Sequence, residues 1–274
     1  MPEISNPLRT AVPRVSIVIP AKNEARNLEV MLPQLPPVHQ VVLVDGHSVD
    51  DTVATARRVM PSIEIIEQTR SGKGNALACG FAAVTGDVIV TFDADGSADP
   101  SEIPAFVAAL LAGADFAKGT RFCAGGGSKD ITLSRHLGNF ALNALANLLF
   151  NTHYTDLCYG YNAFWTSVVP SFDLPDNSLP KAEDGHTYWG DGFEIETVLD
   201  CRVTSAKLRV AEVPSVEQRR IFGQSNLHAM RDGFRVLETI LMECPRVLAH
   251  ANAVSAHPAH SIVEHADPTA RRSA

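Results

Sequence analysis

No apolar run in this chain of 274 residues reaches the ~18–20 residues that a membrane span needs, so the sequence has no candidate spanning helix. Cysteine is scarce and scattered: five residues, an odd number, with no Cys-x-x-Cys pair. That excludes a disulfide framework and a zinc-ribbon site, and it suits a reducing cytoplasm. Excess positive charge is also missing. The formal net charge is −8, which argues against a nucleic-acid binder working by phosphate neutralisation. Residues 1–14 are polar and Pro-rich without the apolar core of a signal peptide, and they read as an N-terminal extension. Residues 248–274 lack apolar periodicity and read as a disordered tail. Its histidines (His250, His257, His260, His265) have no fixed ligand spacing and read as solvated.

What is present is an ordinary globular composition, 45% hydrophobic and 20% charged, with enough chain for a sizeable core. Short β-branched runs at 15–20, 41–44, 63–66 and 87–92 alternate with helical segments at 23–35, 50–60, 75–84 and 100–112. A further strand is expected at 115–119. Such alternation predicts an α/β fold, a mostly parallel sheet with helices on both faces. Ligands of such sheets sit outside the carboxyl ends of the strands. Pro20, Ala21, Asn23, Glu24, Asp45, Lys73 and Asp93-Ala94-Asp95 all fall there. Two carboxylates one residue apart at the end of a buried strand repel each other unless a cation joins them. A hard divalent ion, Mg²⁺ or Mn²⁺, carrying a diphosphate answers that need, with Asp95 and Asp93 as metal candidates.

After Arg121 the pattern changes. A Gly-rich stretch covers 123–129, and 174–188 reads as a loop or lid. Helices are expected at 131–150, 192–203 and 227–247, the last broken at Pro245, with a strand at 208–213. The helix at 131–150 carries Leu133, Leu137, Phe140, Leu145, Leu148 and Leu149 as an apolar stripe. It and the stripe of 227–247 read as core-facing, contact with a bilayer surface being the other reading.

These segments also carry ordered motifs: Val18-Ile19-Pro20-Ala21-Lys22-Asn23-Glu24, Val44-Asp45-Gly46 through Asp50-Asp51-Thr52, Gly72-Lys73-Gly74-Asn75-Ala76 and Asp93-Ala94-Asp95. Downstream come Gly119-Thr120-Arg121, Asp156-Leu157-Cys158-Tyr159-Gly160-Tyr161, Gly192-Phe193-Glu194-Ile195-Glu196 and Arg220-Ile221-Phe222-Gly223. Together they resemble the inverting family-2 glycosyltransferases of GT-A (Rossmann-like) fold, in particular the branch that glycosylates polyprenyl or dolichyl phosphate. The resemblance covers about residues 15–240.

It implies one GT-A domain over 15–247, with 15–121 holding the nucleotide and 122–247 the acceptor. It also implies a metal-dependent transfer from a UDP- or GDP-sugar to a hydroxyl or a polyprenyl phosphate. Pro20 to Glu24, Asp45 and Lys73 would hold the nucleotide. Arg220 and Ser225 would clamp the diphosphate, and Arg121 and Arg135 would grip an acceptor phosphate with their planar forks. Glu194, with Asp191 as rival, would be the base that a hydroxyl acceptor needs, which tilts the acceptor toward a hydroxyl. His153, Tyr159 and Tyr161 are candidates for an acceptor pocket, whereas Trp165 reads as core. Many relatives have two adjacent aspartates where this chain has Asp45-Gly46, so uracil and guanine both stay open. The alternatives are a retaining enzyme of the glucosyl-3-phosphoglycerate synthase type and a nucleotide-sugar binding module without turnover. A cytoplasmic protein at the inner face of a membrane, and a homodimer, are both compatible with this reading.

Overall fold

The computed structural model describes residues 12–182, 187–223 and 229–255. Nine strands and seven α-helices are described. β1 (Val15–Ala21), β2 (Gln40–Asp45), β3 (Glu64–Glu67) and β4 (Val88–Thr91) alternate with α1 (Ala25–Met31), α2 (Thr52–Val59) and α3 (Lys73–Ala83). Then follow α4 (Ile103–Leu111), β5 (Phe116–Thr120), β6 (Gly127–Ser128), α5 (Leu133–Phe150), β7 (Asn162–Trp165), α6 (Ile195–Ser205), β8 (Val210–Pro214), β9 (Val216–Glu217) and α7 (Ala229–Ser255).

Seven strands form one sheet in the order β3-β2-β1-β4-β7-β5-β8. Only β7 runs against its neighbours. In β1, residues Ile17, Val18 and Ile19 are fully buried, and in β4 so are Val88, Ile89 and Val90. A parallel sheet covered on both faces requires such unbroken apolar runs. Behind it stand Phe81, Phe116, Phe164 and Phe172, with Phe116 and Phe164 stacked at 5.4 Å and Phe81 edge-on to Phe164. Parallel pairing aligns Ala21 with Asp45, and Phe92 follows β4 by bonding to Val18 of β1, so the candidate residues converge at one sheet edge.

Arg14, expected to lie in the extension, belongs to the fold. Its guanidinium and its backbone N–H both bond to Asp87, whose carboxyl is thereby held below the usual carboxylate range. At the other end α7 passes through Pro245 without a break and runs on to Ser255. Pro245 removes only one backbone donor. Ile240 and Val247, five residues before it and two after, are buried in a second core with Ala146 and Phe150 of α5, which holds the helix in line.

Helix α5 corrects the core-facing reading. Thr132 caps it by accepting from the Arg135 N–H, and Asn151 ends it in the left-handed conformation. Its inward face is polar. Asn143 donates to the Thr155 carbonyl at 2.7 Å and accepts from the Leu157 N–H at 2.9 Å. Asn147 bonds in the same two-way manner to the backbone of Tyr154. Asn139 reaches the Asp156 carboxylate. Residues 152–157 pack against this face and bury backbone groups that need partners, and an amide side chain supplies a donor and an acceptor together. Part of the stripe is therefore turned outward: Leu133 is 75%, Phe140 69% and Leu148 81% exposed, whereas Leu145 and Leu149 pack against the second core as expected.

Candidate active site

The first-half residues meet as expected. Two loops leave β1 and β2 side by side and are laced together. Gly46 N–H donates to the Ala21 carbonyl, Asn23 N–H to Ser48, and Val49 N–H to the Asn23 side chain. Asn23 and His47 both take the left-handed conformation, which Asn and His tolerate better than most residues. The Asp50 carboxylate accepts from Thr52, at the start of α2, and from the Ala25 N–H. Asp45 is buried. One of its oxygens accepts from the Ser48 N–H, and the other, also buried, meets no protein donor. A carboxylate oxygen in that condition suits a base or ribose donor.

Lys73 opens α3 and joins the two halves. Its ammonium lies 2.7 Å from Asp93 and 2.6 Å from Glu196. Burial works to lower its pKa, and the two carboxylates more than reverse that, so the charge is firmly held. Glu196 was missed in the sequence. It stands two residues past Glu194 in the same motif, and only its contact with Lys73 reveals it. Gly72 and Gly74 permit the junction: a Cβ on either would come within 2.0 Å of the Asp191 or the Gly190 carbonyl oxygen. Gly74 and Asn75 then donate to the Gly192 and Asp191 carbonyls, tying the start of α3 to residues 190–192.

Ala94 is buried, and Asp95 accepts from the Ser97 N–H at 2.9 Å while its other oxygen faces Arg220 at 3.4 Å. Arg220 also pairs with Glu24. Among the described residues no three His, Cys, Asp or Glu side chains converge as ready-made metal ligands. A divalent ion bound by one or two carboxylates and completed by diphosphate oxygens and water fits this donor set, as Mg²⁺ does at phosphate sites.

The second half departs from expectation. Asp191 is buried and held by Arg70 through two bonds, at 2.6 and 3.0 Å. Arg70 goes on to the carbonyls of Asp176 and Leu179, so the pair ties residues 176–179 to Asp191. Glu194 is buried too, and one of its oxygens accepts from Gly190 and Gly192, shaping its own loop. Asp191 thus has both carboxylate oxygens engaged, and Glu194 has one. Arg121 is likewise occupied, by Asp156 at 2.7 Å and Glu217 at 3.1 Å, instead of facing an acceptor phosphate. Arg135 makes a 3.8 Å contact with Asp130 and stays partly exposed. Tyr159 and Tyr161 belong to the core beside Phe92 and Phe106, and of the pocket candidates only His153 lies at the surface. Ser225 lies outside the described residues.

Comparison with known proteins agrees with this geometry. Residues 16–170 match the family described as glycosyl transferase family 2. An uncharacterized glycosyltransferase of Mycobacterium tuberculosis is 36% identical over 107 residues, 39% of this chain and 48% of its own length. The chain thus spans about half the length of that relative. Polyprenol monophosphomannose synthase of Mycolicibacterium smegmatis is 30% identical over 78% of this chain and 81% of its own. Among solved structures, glucosyl-3-phosphoglycerate synthase from M. tuberculosis, in complex with Mn²⁺, UDP-glucose and phosphoglyceric acid, superposes with a TM-score of 0.65. It is 23% identical, over 86% of this chain and 82% of that one. The fold is GT-A, and the chain belongs to glycosyl transferase family 2.

Proposed function

We propose that this protein transfers a sugar, with inversion, from a nucleoside-diphosphate sugar to the phosphate of a polyprenyl-type lipid at a membrane surface. The observation that carries this is the condition of the two candidate bases. A hydroxyl acceptor must lose a proton in the transition state, and a positioned base normally takes it. Asp191 is paired with Arg70 through both its oxygens, and one oxygen of Glu194 accepts from the Gly190 and Gly192 N–H groups. A phosphate monoester needs no base, because it arrives as an anion. Its oxygen attacks the anomeric carbon, the bond from that carbon to the diphosphate breaks, and the electron pair leaves with the nucleoside diphosphate.

In this reading the 15–121 half holds the donor, with Asp45 toward the base or ribose, and the 122–247 half meets the acceptor. A divalent ion at Asp95 would neutralise the charge that grows on the leaving diphosphate. Lys73 keeps a fixed positive charge beside Asp93, where the same diphosphate would lie. Arg135, partly exposed at the start of α5, is an arginine open to an acceptor phosphate.

The outward face of α5 supports a lipid acceptor. From Leu137 to Phe150 this helix carries no charged residue, and Asn143 and Asn147 bond inward to the backbone of 154–157. Phe234, Leu241 and Leu248 of α7, spaced by sevens, are exposed as well. A helix that turns its asparagines inward and Leu133, Leu137, Phe140 and Leu148 outward is suited to lie at the headgroup boundary. No helix among the described residues is long and apolar enough to cross a membrane.

The test is Glu194→Gln, assayed with undecaprenyl phosphate and a panel of UDP- and GDP-sugars, with products read by mass spectrometry. Glutamine keeps an acceptor oxygen for Gly190 and Gly192, so turnover should stay within about threefold of wild type. A loss of roughly 10²-fold or more is what removing a general base produces, and it would return the acceptor to a hydroxyl.

A further inference from the structure

We infer that Arg220 and a divalent ion compete for Asp95, so that filling the metal site releases a strap formed by residues 218–223. The strap bridges the ends of the neighbouring strands β1 and β4. At the β4 side, Gln218 N–H donates to the Ser97 carbonyl at 2.8 Å and Ile221 N–H to the Asp95 carbonyl at 3.1 Å. The Ile221 side chain lies on Gly96, where a Cβ would come within 2.3 Å of it. At the β1 side, Phe222 exchanges bonds with Asn27, donating its N–H at 2.9 Å and accepting at 3.2 Å. The Arg26 guanidinium sits 4.1 Å over the Phe222 ring. Arg220 spans the two sides. Its guanidinium meets Asp95 and Glu24 and also donates to the Phe222 carbonyl at 2.7 Å.

Asp95 has one oxygen engaged by Ser97, and Arg220 faces the other. That second oxygen is the one a hard cation would take, at about 2.0–2.2 Å. A divalent charge there repels the guanidinium and removes its acceptor. The displaced Arg220 keeps the planar fork of donors that suits a diphosphate. One side chain therefore holds the strap across the strand ends before the ion binds and becomes available to the leaving group afterwards.

This rests on the reading of Asp95 as the metal carboxylate, so the test uses Mn²⁺ alone and needs neither donor nor acceptor. Mn²⁺ affinity is read from the free-ion electron paramagnetic resonance signal for wild type, Arg220→Ala and Arg220→Lys. Amide hydrogen exchange is followed at Ile221 and Phe222. Arg220→Ala should bind Mn²⁺ roughly tenfold more tightly than wild type, with Arg220→Lys between. In the wild type, Mn²⁺ should speed exchange at both amides, and in Asp95→Asn it should not. Equal Mn²⁺ affinity in wild type and Arg220→Ala overturns the competition while leaving the metal site standing. So does unchanged protection of Ile221 and Phe222 at saturating Mn²⁺. Failure of Arg220→Ala, folded by circular dichroism, to bind Mn²⁺ overturns the metal site as well.

Discussion

Helices α3 and α5 obey opposite rules. α3 lies against β1 and β2 and buries Ala76, Leu77, Cys79 and Phe81, as a helix beside a sheet should. α5 buries Asn139 and Asn143 and exposes Leu133, Leu137, Phe140 and Leu148. The difference comes from what each helix faces. β1 and β2 satisfy their own backbone groups through the sheet ladder and present apolar side chains. The irregular stretch 152–157 has no ladder and must borrow partners from the helix above it. An amphipathic pattern thus fixes the existence of two faces, and the neighbour decides which of them goes inside.

The comparison can be broken by exchanging the rules. In the sheet core, Phe164→Ala should cost about 3–5 kcal/mol by removing a ring from the Phe81, Phe116 and Phe172 cluster. Asn143→Leu, which makes the inner face of α5 resemble that of α3, should cost about 2–4 kcal/mol by leaving the Thr155 carbonyl and the Leu157 N–H buried without partners. Urea unfolding measures both, and a neutral Asn143→Leu would mean that the inner face is polar without need.

The outer face offers the converse exchange. Phe140→Ser with Leu148→Ser should change unfolding free energy by no more than about 0.5 kcal/mol per site. The same pair should weaken binding to liposomes of anionic lipid by roughly tenfold or more, read by co-sedimentation. Unchanged sedimentation would leave α5 an exposed apolar face with no bilayer to cover it.

A smaller effect sharpens the contrast between backbone partners that titrate and partners that do not. Asp50 does for the loops after β1 and β2 what Asn143 does for 152–157. Burial tends to raise its pKa, but bonds from Thr52 and Ala25 outweigh this and hold it below its ordinary 3.8. The folded state therefore takes up this proton less readily than the unfolded chain. Its stabilisation is complete above pH 3.8 and is lost as pH falls through the folded value. Asp50→Ala should cost about 0.5 kcal/mol at pH 7, low for a cap because the carboxylate is exposed, and less at pH 2. Thermal melts at the two pH values check this, and the Asn143 variant should show no such dependence.

Much of the first half was legible in the sequence. Strand and helix alternate there, and a parallel sheet sends every strand's carboxyl end to the same edge, so Asp45, Lys73, Asp93 and Asp95 had to converge. The second half was less legible because its side chains are governed by distant partners. Arg121 looks like a free phosphate fork until Asp156 and Glu217, 35 and 96 residues further on, close around it. Asp191 looks like a base until Arg70, 121 residues earlier, takes both its oxygens. Glu196 looks like an ordinary helix residue until Lys73 meets it. Local pattern reports which residue types are available, and fold geometry determines which are already engaged.

The junction at Gly72 and Gly74 has a mechanical consequence. Backbone lies on backbone there, with no room even for a methyl group, and hydrogen bonds run from Gly74 and Asn75 to residues 191 and 192. Residues 15–121 and 122–247 are sutured along this line. Hinged opening of the kind that parts two lobes has no play at such a seam. Movement is left to pieces smaller than a lobe, and any substitution that loosened the suture would draw residues 190–192 away from the start of α3 before it altered a single side-chain contact of Lys73.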